Sequence, residues 1–293
     1  MNTTLRRFFC LIAWLLPLVC VRGQDVAVIR VQARLVEVAA TVFDGHGRYV
    51  DGLKQDSIHV FEDGKPQKIK DFETDAESLH CAILLDTTGS MDAALPSLKN
   101  AVSNLIDELG PTDSVAIYTF SDQLFIQQDF TTDKAAAKRA VLRLRAGGST
   151  ALFDSLSQAA QEVGHQQGKK AIVVFTDGDD NASVLNAATA VNKAKKNGIP
   201  LFTIAEGEAT QSPKFKKLLA DLSAGTGGST FEVQSPKTMQ EVFQKISEEL
   251  RHIYLLTYQP QAVSSDGKWR KIDVTVDGVE NYRVRAREGY LPN

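Results

Sequence analysis

From Val26 to about Phe72 apolar and polar residues alternate with a period of two, as in VAVIRVQARLVEVAATVFD and SIHVFEDGKPQKIKDF. A strand turns successive side chains to opposite faces, so this period predicts half-buried strands, with the turn-forming stretches DGHG and EDGK between them. After Leu79 the pattern changes: short continuous apolar runs, CAILLD, VAIYTF, AIVVFT and PLFTIA, alternate with helix-period segments at about 93–109, 134–144, 152–163, 184–196 and 213–222. Runs that are apolar on consecutive positions suit strands buried on both faces. Their alternation with helices predicts an α/β unit, a Rossmann-like, doubly wound and mostly parallel sheet between helical layers. LFIQQDF, after FSDQ, predicts an antiparallel edge strand, and a last helix over 236–250 carries Met239, Val242, Phe243, Ile246 and Leu250 at core-facing spacing.

Beyond that helix, IYLLTYQP, KWRKIDVTVD and YRVRAREGY return to strands. A few strands at each end of the chain would leave apolar faces wet, so pairing the two ends is the economical solution. The expected organisation is a leader over 1–23, N-terminal strands of a small β-sandwich over 24–78, an inserted α/β domain over 79–252, and strands completing the sandwich over 253–293.

Composition narrows the class of protein. The 293 residues are 43% hydrophobic and 24% charged, enough apolar material for one sizeable core and a smaller second unit. A net charge of −3 supplies no basic surplus to follow a phosphate backbone, which argues against nucleic acid as a partner. Arg6 and Arg7 precede an apolar run from Phe8 to about Val19, the pattern of a secretory signal cut before Gln24. The mature chain is then expected in the periplasm, at the cell surface or outside the cell, without a membrane span. A retained anchor is the alternative, but the run falls short of the roughly 20 residues that cross a bilayer, and Val19 stands where a lipoprotein signal needs a small residue before Cys20. Cys10 and Cys20 leave with the leader, so Cys81, in HCAILLD, is predicted as a buried strand thiol and no disulfide holds the fold.

In an open parallel sheet, ligands bind at the carboxyl ends of the strands, where strand order reverses. Three polar loops are candidates to meet there: DTTGS, from Asp86 to Ser90; GGSTALFD, from Gly147 to Asp154; and TDGDDN, from Thr176 to Asn181. They offer the carboxylates of Asp86 and Asp177 and the hydroxyls of Thr88, Ser90 and Thr150. That set is hard oxygen with no convergent histidine or cysteine, the chemistry of Mg2+ or Mn2+ and not of zinc. Each piece also has an ordinary use. Ser or Thr beside a helix start is most often an N-cap, GGST alone is a glycine turn, and Asp179 and Asp180 alone are solvated loop acids. Asp86, as a loop acid beside solvent, is expected to contribute little to the core.

DTTGS, GGSTALFD and FTDGDD together resemble the metal-ion-dependent adhesion site of von Willebrand factor type A domains, whose pattern is Asp-x-Ser-x-Ser, a distant Thr and a distant Asp. By position, Asp86, Thr88 and Ser90 match the first element, Thr150 the second and Asp177 the third; Thr88 stands where the pattern has Ser and keeps the hydroxyl. The resemblance covers about 79–250. The flanks, including LVEVAATVFDGHGRYVDGL, YLLTYQP and RAREGY, resemble the bacterial family of related proteins frequent in acidobacteria. The resemblance implies that Thr88 and Ser90 bind a divalent cation directly, that Thr150 joins them in the ligand-competent state, and that the acids act largely through water. A carboxylate of a partner protein then fills the open position. In some members the last helix slides on binding; here its apolar face is equally accounted for by core packing.

Other chemistries fit less well. Phosphatases of the haloacid dehalogenase type resemble Asp-x-Asp at this place, and Thr88 stands where the second acid belongs. No nucleophile elbow surrounds Ser90, and the phosphate-loop pattern is missing. Asp177, Asp179 and Asn181 alternate as in a calcium loop, but Ala188 sits where the closing Glu belongs. The 5 histidines are scattered, which suits surface and strand roles. The expectation is therefore a non-enzymatic protein, the alternatives being a metal-dependent hydrolase or a structural module without a bridged ligand.

Overall fold

The computed structural model describes residues 35–74, 76–178, 180–260 and 267–292. The predicted leader, the strand predicted over 26–34 and Asp179 lie outside the described residues. The alternating N-terminal segment forms β1 (Val36–Phe43), β2 (Ile58–Glu62), β3 (Lys65–Gln67) and β4 (Ile69–Glu73). The turn between β2 and β3 places Asp63 and Gly64 at φ 50° and 76°, the two positive angles that a tight two-residue hairpin demands of its Asp-Gly.

The middle of the chain builds six further strands and six helices. In order they are β5 (Leu79–Asp86), α1 (Leu95–Glu108), β6 (Ser114–Phe120), β7 (Leu124–Thr131), α2 (Lys134–Leu142), α3 (Leu152–Val163), β8 (Lys169–Thr176), α4 (Ala187–Lys196), β9 (Leu201–Ala205), α5 (Pro213–Ala224), β10 (Thr230–Glu232) and α6 (Pro236–Arg251). The sheet order is β10-β9-β8-β5-β6-β7. Every neighbouring pair is parallel except β6 and β7, so the antiparallel edge strand forms as its sequence predicts. The continuous apolar runs are explained by two cores. Cys81, Ile83 and Leu85 point into the layer that holds α1, α2 and α6, while Ala82 and Leu84 point into the layer that holds α3, α4 and α5. All five apolar positions predicted on the last helix are buried in the first of these layers.

Two elements depart from the pattern. The helix predicted from residue 184 begins at Ala187, because the Asp154 carboxylate takes the backbone N–H groups of Val184 and Leu185 and holds them in the loop, and Asn186 then caps the helix. Strand β10 has only three residues, too few for a period to register.

The C-terminal strands are β11 (Tyr254–Tyr258), β12 (Arg270–Val276), β13 (Arg283–Ala286) and β14 (Gly289–Tyr290). They interleave with the N-terminal ones in two four-stranded sheets, β13-β1-β11-β4 and β14-β12-β2-β3, which share one apolar core. Both chain ends thus complete each other, flanking the inserted α/β layers. Contacts between the two parts gather at the amino ends of the parallel strands and the end of α6. Lys170 Nζ meets Glu37 Oε2 at 2.5 Å, Arg285 Nη2 meets Glu249 Oε2 at 2.5 Å, and the Lys169 N–H donates to Glu73 Oε2 at 3.1 Å. The carboxyl ends of the strands lie about 25 Å away, at roughly 3.3 Å per residue over eight residues, so the sandwich does not cover the edge where the polar loops sit. Among the described residues no helix is long and apolar enough to cross a membrane.

Cys81 is fully buried in β5, and burial pushes its thiol up to about 12. The thiolate is the reactive form, so iodoacetamide at neutral pH should leave Cys81 unmodified in the native chain and label it fully in denaturant, as read by peptide mapping. Labelling of the native chain at Cys81 would place that thiol at a surface.

Candidate metal centre

Strand order reverses between β8 and β5, and the two loops that leave the carboxyl ends of these strands open the crevice there. Asp86 is the last residue of β5 and is 0% exposed, a correction to the solvent-side position that its sequence suggests. Its Oδ1 accepts hydrogen bonds from the Thr88 backbone N–H at 2.9 Å and from Thr88 Oγ1 at 2.7 Å; its Oδ2 accepts from Thr176 Oγ1 at 2.9 Å. Burial pushes the carboxyl up to about 6, against the downward pull of the Thr88 and Thr176 donors and with a further push from the charge of Asp177. No lysine, arginine or histidine pairs with it among the described residues.

Thr88 Oγ1 lies 3.0 Å from Ser90 Oγ, which is exposed. Asp86, Thr88 and Ser90 therefore form one chain of oxygens running from the core to the surface. The ordinary use of such hydroxyls is not made here: Thr88 forms no side-chain cap, and α1 and α3 begin after Ala94 and Ala151, also without side-chain caps.

The second loop is docked by its backbone. The Gly147 N–H donates to Thr87 O at 2.7 Å, and the Ala151 N–H to Ser121 O at 2.7 Å. Between them Gly148 takes φ 93°, and a Cβ there would stand 2.8 Å from Ser121 Cβ, so glycine alone fits this approach. Thr150, 4% exposed, is tied to the third loop: its N–H donates to Asn181 Oδ1 at 3.0 Å, and its carbonyl accepts from the Asn181 and Ala182 N–H groups at 3.0 Å each. The Thr150 hydroxyl makes no hydrogen bond to the other four candidate residues. Asp177, 7% exposed, follows β8 directly and lies close enough to Asp86 for its charge to act there.

Four supporting residues are not evident from the pattern. Thr176 links Asp86 to the third loop, also accepting from the Gly178 N–H at 3.1 Å. Asp180, expected as a solvated loop acid or part of the rim, is half-buried and accepts from the Phe153 N–H at the start of α3 and from the Ser183 N–H. Asn181 fixes Thr150 through its side-chain carbonyl. Glu206, at the end of β9, has its carboxyl raised by burial and by the charge of Asp177. The signal for Asp180 and Asn181 was present as two short polar side chains facing a helix start, but their partners lie about 30 residues away. The described residues hold no cluster of three or more His, Cys, Asp or Glu side chains around a common point. The donor set is two carboxylates and three hydroxyls, and one of those carboxylates, Asp86, is buried without a cationic partner, which fits a hard divalent cation.

Comparison with known proteins agrees with this architecture. The family model for the von Willebrand factor type A domain matches residues 81–245. The uncharacterized protein sll0103 of Synechocystis is 26% identical over 199 residues, covering 63% of this chain and 46% of that protein. The chain thus spans about half the length of the curated relatives it matches. A solved von Willebrand factor type A structure from Catenulispora acidiphila superposes with a TM-score of 0.53 at 16% identity, covering 88% of this chain and 75% of the other. The vWF domain of the type V pili tip protein Mfa5 from Porphyromonas gingivalis gives 0.50 at 12% identity, covering 58% and 94%. At these identities the solved structures speak to the fold.

Proposed function

Because the chain belongs to the von Willebrand factor type A domain family, we propose that it is a non-enzymatic binding protein that holds Mg2+ or Mn2+ at the carboxyl edge of its central sheet and takes an acidic group of a partner protein onto that cation. The observation that carries this reading is the Asp86 carboxylate, fully buried without a cationic partner, at the inner end of a chain of hydroxyls that cap no helix. Thr88, Ser90 and Thr150 would supply neutral oxygens directly, and Asp86 and Asp177 would hold water around the ion. The bound cation supplies a strong electrophile with one position for a carboxylate. With only neutral hydroxyls in direct contact, these residues leave most of its charge for the partner. The leader over 1–23 would export the chain and set the site where a partner can reach it.

Two further observations support a binding use. The edge that carries the loops is the one the sandwich leaves uncovered, and a pili tip protein uses the same fold. A phosphatase of the haloacid dehalogenase type would need a second acid two residues after Asp86; Thr88 occupies that place and donates its hydroxyl to Asp86 itself.

Isothermal titration with Mg2+ and Mn2+ tests the site. Saturable binding is expected, weakened by about tenfold or more in Ser90→Ala and Thr150→Ala, with unchanged circular dichroism. No heat with either metal, including with acetate present to fill the open position, would sink the reading.

A further inference from the structure

A groove of about 330 Å³ begins beside the candidate metal centre, at the junction of its first two loops, and runs to the edge of the sheet. Thr87 and Gly147, which join the first two metal loops, form its near end, and Phe125 and Gln127 of β7 form its far end. Arg143 and Arg145 line the wall between them. That wall is fixed from below, because Lys99 Nζ donates to the carbonyls of Leu142 at 3.0 Å and Leu144 at 2.7 Å. Both arginines are exposed, and neither guanidinium has a hydrogen-bond or ion-pair partner among the described residues. No acidic side chain lines the groove; the nearest in sequence, Asp122, accepts from Ser121 Oγ at 3.0 Å. On a chain of net charge −3, this is a purely cationic recess adjoining a site for a carboxylate.

Resting on the metal-site reading above, we propose that the groove is the second half of the same interface. It takes an extended acidic segment of the partner protein, whose first carboxylate meets the cation and whose next acidic side chain lies between Arg143 and Arg145. Arginine forks match carboxylates in bidentate fashion, and Phe125, 39% exposed, offers an apolar surface at the far end for the segment to pack on. Two-point attachment sets direction as well as affinity, because a single carboxylate on a cation leaves the segment free to rotate.

The test uses the full chain and a fluorescent hexaglutamate, with hexaglutamine and acetate as controls, in anisotropy measurements with and without Mg2+. Hexaglutamate should bind in a Mg2+-dependent manner, hexaglutamine should not, and Arg143→Gln/Arg145→Gln should weaken hexaglutamate by about tenfold or more while leaving calorimetric Mg2+ affinity unchanged. Equal hexaglutamate affinity in wild type and the double variant, with Mg2+ binding intact, would overturn the groove alone. Arginine-dependent hexaglutamate binding without any Mg2+ binding would support the groove and overturn the metal site. Tighter arginine-dependent binding of a sulfated hexasaccharide would overturn the assignment to an acidic polypeptide.

Discussion

Replacing Asp86 with asparagine should lower Mg2+ affinity by on the order of 100-fold and at the same time make the metal-free protein more stable at neutral pH. The two effects have one cause. Asp86 titrates at about 6 in the folded chain against 3.8 ordinarily, because burial penalises its charge. A carboxyl whose folded value is raised is easier to fold when protonated, so its stability contribution is fully present below about pH 4 and is lost as pH rises through 6. The whole loss is about 3 kcal/mol at 1.36 kcal/mol per unit. Asparagine keeps the acceptor for Thr88 and can donate to Thr176 Oγ1, so it removes the charge without removing the network. Thermal melts without metal should therefore converge at pH 4 and separate above pH 6, with the variant the more stable. In wild type, protons compete with the cation, so apparent Mg2+ affinity should fall by about fivefold between pH 6 and pH 5, as the ionised fraction of a group at about 6 drops. An Asp86→Asn variant that binds Mg2+ like wild type, or wild-type and variant melts that run parallel across this range, would remove Asp86 from the centre.

That Asp86 is buried was the part of the site least legible in the sequence. The acid at the end of CAILLD was evident, and so were the hydroxyls after it, because composition and spacing are local. Its burial depends on Thr87 and Gly147 closing the loop and on Thr176 reaching across from β8, contacts between residues 60 and 90 positions apart. The same distinction runs through the fold. β5 and β8 are legible because strands buried on both faces must be apolar at consecutive positions, and α6 because one face must meet α1 and the sheet. The start of α4 is not, since Asp154 decides it from another helix. Arg143 and Arg145 carry no signal of their own in the sequence; only the docking of residues 142–147 against Lys99 and Thr87 makes them a wall.

The separation of scaffold from site gives the second large effect. Gly228 connects α5 to β10 on the amino edge of the sheet, where its backbone passes over Leu201 at the start of β9; a Cβ there would lie 1.9 Å from the Leu201 carbonyl oxygen. That obstacle is backbone held in a parallel ladder, so it cannot swing aside as a side-chain tip could. Gly228→Ala should cost about 3 kcal/mol or more by overpacking. Gly64, at φ 76° with nothing within 4 Å of its Cβ position, provides the comparison. There alanine meets only conformational strain, and the cost should be about 1 kcal/mol. Urea denaturation of the two variants should rank them in that order, because steric exclusion by backbone outweighs an unfavourable φ. Residue 228 lies at the edge opposite the metal loops, so the folded fraction of Gly228→Ala should keep its Mg2+ affinity. Destabilisation of Gly228→Ala no greater than that of Gly64→Ala would mean that the β9 edge yields. Mg2+ affinity lost along with stability would mean that the two edges of the sheet are coupled, and the division between a clamped amino edge and a free carboxyl edge would fail.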